Sequence, residues 1–273
     1  MTTLKNKVIF ITGASRGIGR ALALRFAGEG ANIVITGKTV EAQPNLEGTI
    51  HTVADEVRAL SVQALPIMLD VRDEDSVMNA VEETVKVFGG IDVLINNASA
   101  INMSSILELP MKRYDLLMNV NVRATYLCSK ACIPYLKKSE NPHILTMSPP
   151  LSLNPKWFKK HLAYTLSKFG MSMCTLGLSE DLKRDGIAVN SLWPRTLIAT
   201  AAIANNFPKA MYEASRKPDI VSDAALAIIT SPSRELTGHF FIDEDFLKSR
   251  GVTDFSVYAL REGVALMPDL YLE

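Results

Sequence analysis

A doubly wound α/β fold is predicted: one domain with a parallel sheet of about seven strands and helices on both faces. Three observations carry this. Short apolar runs alternate with amphipathic stretches of helix length, a glycine-rich turn directly follows the first run, and prolines interrupt the chain where later runs end. The alternation implies parallel strands, because a helix-length crossover brings the next strand back in the same direction. The strands are placed at residues 7–12, 32–36, 63–69, 92–96, 143–148, 187–192 and 238–242, with helices between them. The longest helices are expected at about 112–137 and 161–183, and both hold more apolar positions than one sheet-facing stripe uses. Burial against another subunit accounts for the excess, so a homodimer or homotetramer through these two helices is expected.

Composition narrows the class of molecule. The 273 residues show no linker-like break before about residue 245, so residues 1–245 read as one domain and 246–273 as a tail. Apolar residues make up 48%, enough for a full core. Lys plus Arg equals Asp plus Glu at 29 each, which leaves no basic field for nucleic acid or for anionic lipid. Neither nucleic acid nor membrane is expected as a partner. No run approaches the roughly eighteen apolar residues that a membrane span needs. Met1 to Lys7 lacks a signal-peptide pattern, and three cysteines without scaffold spacing fit a reducing, cytoplasmic setting. Cys128 and Cys132 lie four apart without a His or carboxylate cluster, so they read as small apolar residues and no metal is expected.

The chemistry starts at the first strand. Val8-Ile-Phe-Ile-Thr12 runs into Gly13, Ser15, Arg16, Gly17, Ile18 and Gly19, a strand, tight turn and helix start. Glycine is wanted there because a Cβ would block a pyrophosphate from backbone N–H groups at the helix N-terminus. The second strand ends at Gly37-Lys38, without the acid that would bind a ribose 2′-hydroxyl. Lys38 and Arg16 offer two cations instead, which favours a 2′-phosphate and hence NADP over NAD, although both also suit a solvated surface. Asn96-Asn97-Ala98-Ser99 closes the fourth strand, and Asn121 sits in an apolar helical stretch where its amide must be satisfied. Asn119 is the alternative inward residue.

Tyr164 and Lys168 are one helical turn apart and share a face. A phenol is a neutral-pH acid or base only if its pKa falls, and the neighbouring ammonium is expected to lower it. Alone, Tyr-x-x-x-Lys is an ordinary helix edge; after the fifth strand of a glycine-turn fold it reads as a proton-transfer pair.

Together these residues resemble the short-chain dehydrogenase/reductase family, a Rossmann fold, over residues 5–243. The glycine turn, Asp70-Val71, Asn96-Asn-Ala, Asn121, Tyr164-x-x-x-Lys168 and Pro194 fall in the family's order. Within it the sequence is most similar to the dehydrogenase part of the hydroxysteroid dehydrogenase-like proteins, through Ser148-Pro-Pro-Leu, Asn154-Pro-x-Trp-Phe158 and Leu192-Trp-Pro194. Some members of that branch add a sterol-carrier domain, which these residues do not contain. The resemblance makes 1–245 a dinucleotide-binding and catalytic domain. It implies pyrophosphate on Gly13 to Gly19, adenine at Asp70 and Val71, and cofactor contacts from Asn97, Ala98, Ser99, Lys168 and Pro194. Tyr164 then exchanges the proton, Lys168 lowers its pKa, and Asn121 holds a water. For Asp70, capping of the next helix is the alternative.

Three positions depart from the family. Its substrate-polarising serine stands thirteen residues before the tyrosine, whereas Ser148 and Ser152 stand sixteen and twelve before it, around Pro149 and Pro150. Ser148 is preferred. Ser99 and Arg195 replace glycines, and a side chain at either could narrow the nicotinamide pocket. Trp157, Phe158 and Trp193 flank the catalytic edge, as substrate walls or as core, and residues 196–217 are apolar enough to form a lid. The expected reaction interconverts a small apolar alcohol and its aldehyde or ketone. The alternative is a nucleotide-binding sensor or scaffold that has lost turnover; a methyltransferase is disfavoured by the missing acid after the second strand. The tail's apolar content predicts docking on the domain or on a neighbouring subunit, near that subunit's substrate mouth.

Overall fold

The computed structural model describes residues 3–44 and 46–273. Met1 and Thr2, at the head of the segment expected to lead into the first strand, lie outside the described residues. The chain forms β1 (Val8–Ile11), α1 (Gly17–Ala27), β2 (Asn32–Gly37), α2 (Ile50–Arg58), β3 (Ala64–Met68), α3 (Glu74–Phe88) and β4 (Val93–Asn96). It continues through α4 (Met111–Leu117), a π-helical turn (Met118–Arg123), α5 (Ala124–Leu136), β5 (His143–Thr146), α6 (Leu162–Asp181) and β6 (Ala188–Trp193). The last elements are α7 (Ala201–Asn206), α8 (Lys209–Glu213), α9 (Asp219–Ile229), β7 (Phe240–Ile242), α10 (Asp243–Ser249) and a short 3-10 helix (Ser256–Tyr258).

All seven strands pair in parallel in the order β3-β2-β1-β4-β5-β6-β7. The chain winds outward from β1 and then restarts beside it at β4, so the β1/β4 boundary is the switch point where such sheets open a crevice. Central strands read as continuous apolar runs because both faces are covered: every residue of β1, β4, β5 and β6 is buried. One core layer joins α1, α2 and α9 to the sheet around Ile9, Ile33 and Phe26, and the other packs α3 and α5 around Phe10, Val34 and Leu94.

Local chemistry sets the boundaries. Thr49 and Thr52 form a reciprocal capping box at the start of α2. Asp73 caps α3 by accepting from Asp75 N and Ser76 N, and Gly89 ends it at φ +83°. Cys128 and Cys132 are buried within the second core layer, and burial pushes the Cys128 thiol up to about 12, as suits small apolar residues. Among the described residues no helix is long and apolar enough to cross a membrane, and no group of His, Cys, Asp and Glu could hold a metal.

The expected strands all form, each within two residues of its predicted ends. One helix differs: the stretch 112–137 is not a single α-helix but α4 and α5 joined by the π turn. A π turn inserts where side chains need a position that the 3.6-residue repeat would rotate away.

Candidate active site

Two adjoining cavities open on the carboxyl edge. The first, about 590 Å³, is walled by Gly13, Ser15, Arg16, Gly17, Ile18 and Gly19, with Lys38, Asp70, Val71, Asn97, Ala98 and Ser99 opposite. The second, about 340 Å³, holds Tyr164, Lys168 and Pro194 among largely apolar walls. Ile18, Asn97, Ser99, Thr200 and Ala202 line both, so a ligand extended along the sheet edge passes from one into the other.

The first cavity fits a dinucleotide's phosphates. Gly13 and Gly17 take φ +67° and +56°, and a Cβ on Gly13 would meet Ala98 Cα at 2.9 Å. No side chain caps the N-terminus of α1, so its first-turn N–H groups stay free to meet an anion. Thr12, unassigned by the sequence reading, closes the turn: its hydroxyl accepts from Asn97 N and Ala98 N at 3.0 Å, while Asn97 Nδ2 donates to the Thr12 and Gly13 carbonyls. Lys38 is exposed and donates to Asp70 at 3.0 Å, and Arg72 also binds that carboxylate. These hydrogen bonds, from Arg72 first, hold Asp70 well below the usual carboxylate range. Asp70 caps no helix, since Asp73 does that work. Arg16 donates to the carbonyls of Glu47 and Gly48, which anchors the loop before α2 beside the cleft.

In the second cavity Tyr164 and Lys168 are buried on one face of α6. Lys168 Nζ donates to Met147 O at 3.1 Å and lies 5.2 Å from the Trp193 ring centroid. Burial pulls its ammonium down to about 8, with Asp269 acting in the opposite direction. The Tyr164 phenol departs from expectation: it is raised well above its ordinary value, by burial first and then by Tyr271 and Asp269. The expected lowering by Lys168 is not found: the ring sits in an apolar cluster with an acid nearby, and both raise the phenol.

Other predicted residues take varied places. Asn121 is the inward asparagine of the π turn: its Oδ1 accepts from Ala100 N at 2.7 Å and its Nδ2 donates to Ala100 O and Ser167 Oγ. Its amide is thus occupied by protein groups. Ser148 is fully buried with its hydroxyl against Ser191 Oγ at 2.8 Å, outside the walls of the second cavity. Ser152 donates to Glu273 at 2.6 Å. Ser99 faces both cavities, whereas Arg195 turns outward to pair with Asp245 and narrows neither. Trp193 lines the second cavity; Trp157 and Phe158 do not, and instead meet Tyr271 and Phe169. Within 196–217, Ile203, Phe207 and Met211 roof the cavity from α7, the following turn and α8.

The tail, expected to dock on the domain or on a neighbouring subunit, packs in this structure on its own domain. It returns to its own chain's catalytic edge, where Met267, Pro268, Asp269 and Leu270 form part of the second cavity's wall and Tyr271 is 1% exposed. Cluster burial explains the placement, since Tyr271 packs against Trp157, Phe169 and Trp193 within 6 Å of each ring centroid.

Comparison with known proteins agrees with this layout. A family model described as short chain dehydrogenase matches residues 7–210. The hydroxysteroid dehydrogenase-like protein 2 of Bos taurus is 56% identical over 265 residues, 97% of this chain. The chain spans 63% of that relative's length. A crystal structure of a candidate dehydrogenase from Xanthomonas campestris superposes with a TM-score of 0.97 at 51% identity, covering 99% of each chain. A metagenomic short-chain oxidoreductase in complex with NADP superposes with a TM-score of 0.73 at 25% identity, covering 88% of this chain and 98% of that one.

Proposed function

This chain belongs to the short-chain dehydrogenase family, and from that premise we propose that it is an NADP(H)-dependent oxidoreductase interconverting an apolar alcohol and its aldehyde or ketone. The observation that carries the reading is the junction of the two cavities. A phenol and an ammonium stand on one helix face in an apolar chamber that shares its wall with a glycine-lined phosphate cradle.

The nicotinamide, when bound, supplies or accepts the hydride. The residues of this chain do the rest. Gly13, Gly17 and Gly19 with the α1 N-terminus would hold phosphate, and Lys38, exposed and paired with Asp70, would offer its cation beside the ribose edge. That a metagenomic member was solved with NADP supports the choice of cofactor. Lys168 binds the nicotinamide ribose and keeps a positive charge near Tyr164. Tyr164, protonated in the free protein by its raised pKa, is ready to donate to a carbonyl oxygen as it gains negative charge. Ile101, Met103, Phe207, Met211 and Leu270 exclude water around that oxygen and select an apolar substrate. Such a protein acts in a reducing compartment such as the cytoplasm, as a dimer or tetramer through α5 and α6.

The test is direct. Purified protein is incubated with NADPH or NADP and a panel of apolar aldehydes, ketones and alcohols while reduced-nicotinamide absorbance is followed. Turnover that collapses about a thousandfold in Tyr164→Phe, with cofactor binding retained, supports the reading. A second reading, a nucleotide sensor without turnover, is favoured by one observation: the Ser148 hydroxyl is spent on Ser191. Tight NADPH binding with no turnover of any panel member would select it.

A further inference from the structure

The tail brings a carboxylate into the reaction chamber. Asp269 lines the same 340 Å³ cavity as Tyr164 and Lys168, far from both in sequence. Its backbone is pinned: Met267 O accepts from Leu197 N at 3.0 Å, Pro268 bridges Thr196, and Asp269 N donates to Arg195 O at 3.0 Å. One residue on, Leu270 O accepts from Trp193 Nε1 at 2.8 Å. The segment therefore runs as a strap beside the chain that leaves β6, and the carboxylate is held in place by main-chain bonds on both sides.

The strap carries strain as well. Tyr271 takes φ +67°, a left-handed conformation that costs free energy for a bulky side chain. That cost is offset by burial of its ring and by the contact of its hydroxyl with Thr165 Oγ1 at 3.2 Å. Glu273 adds a clasp, accepting from Ser152, Lys156 and Trp157 at 2.6 to 3.0 Å. A strained, clasped segment that carries an acid into the cavity of the proton-transfer pair points to a functional arrangement, because the apolar cluster alone would be satisfied by an apolar residue at 269.

We propose that Asp269 is a positioning residue for proton transfer, supplied by the tail to its own chain, whose charge opposes that of Lys168 and sets the pH at which Tyr164 exchanges its proton. The proposal rests on the oxidoreductase reading and deepens it. The groups that face Asp269 are Lys168 and Tyr164 from α6, Asp243 from the start of α10, and Tyr271 from the strap; Arg195 offers it only a carbonyl, its own side chain being paired with Asp245. Burial pushes the carboxyl up to about 7, with Lys168 pulling it down and Asp243 pushing it up. Its charge therefore switches on across neutral pH. When charged it holds the Lys168 ammonium protonated and makes the Tyr164 phenol harder to ionise, so the strap keeps the pair in its proton-bearing form.

Two measurements test this. The first needs no turnover: the Asp269 carboxyl is followed by carbon-13 NMR against pH in the cofactor-free protein and in Lys168→Met. Removing the ammonium is expected to move the Asp269 midpoint upward by about one pH unit; an unmoved midpoint overturns the coupling. The second is the pH profile of kcat/KM for alcohol oxidation in Asp269→Asn, which keeps the oxygen that accepts from Leu270 N. The Tyr164 limb is expected to shift to lower pH by about one unit, so the variant runs up to about tenfold faster between neutral pH and the wild-type limb, where Asp269 is charged, and matches wild type at acid pH, where Asp269 is neutral. A superimposable profile in a folded variant overturns the proposal. Wild type that turns over nothing overturns the oxidoreductase reading instead, and the NMR arm still decides the charge coupling.

Discussion

At the scale of single residues, backbone approach decides more than charge. A Cβ on Gly19 would lie 2.4 Å from Gly13 O and 2.6 Å from Asn97 Nδ2, and neither atom can retreat because the same amide ties the turn to β4. Gly19→Ala is expected to destabilise the fold by about 1 to 3 kcal/mol and to weaken NADP binding by more than tenfold, checked by thermal denaturation and calorimetry. Lys38 gives the opposite kind of test. It is exposed and structurally dispensable, so Lys38→Ala should weaken NADP by about tenfold, leave NAD unchanged and leave stability unchanged. Equal loss for both nucleotides would remove the 2′-phosphate role. Tyr164, Lys168 and the glycine turn were legible in the sequence because their spacing is local. Ser148 was not, since two prolines hide which way its hydroxyl turns, and Asp269 was not, since only the fold brings it to Lys168.

At the scale of elements, strands were easy to read and the helix over 112–137 was not. Buried parallel strands advertise themselves as unbroken apolar runs, whereas a π turn leaves no periodic mark in six residues. Its purpose is visible only in three dimensions: it turns Asn121 to hold the backbone of Ala100 and the hydroxyl of Ser167, tying the loop after β4 to α6. Asn121→Ala would leave the Ala100 N–H and C=O without these partners, at a cost of about 2 to 3 kcal/mol, read as a lower urea midpoint. The same long helices expose Tyr126 at 60%, Met173 at 59% and Leu176 at 51%, an apolar surface suited to a second copy of this chain. Leu176→Glu is expected to shift the protein to a smaller species in light scattering. An unchanged mass would move the interface elsewhere.

At the scale of the whole molecule, the pH dependence of stability is set by opposed buried groups. Asp243 is fully buried, one of its oxygens accepting from Arg195 N and Glu244 N while the other meets no partner. Burial pushes its pKa from 3.8 to about 6. Between those values the unfolded chain releases this proton and the folded chain keeps it, so the folded state binds more protons and loses stability as pH rises. His143 acts in reverse: burial lowers it to about 4, so it withdraws stability as pH falls below the ordinary histidine value. Each masks the other in a raw curve, and a difference between two proteins separates them. Asp243→Asn retains the accepting oxygen and cannot ionise. Relative to wild type it should gain stability steadily from about pH 4 to pH 6 and hold the gain above that. The shift corresponds to about 3 kcal/mol at roughly 1.4 kcal/mol per unit, with the attraction of Arg216 for the charged form already included. A difference in urea-derived stability that stays flat across this range would show that the carboxyl is ionised in the folded protein, and that the strap and α10 sit on a solvated rather than a dry foundation.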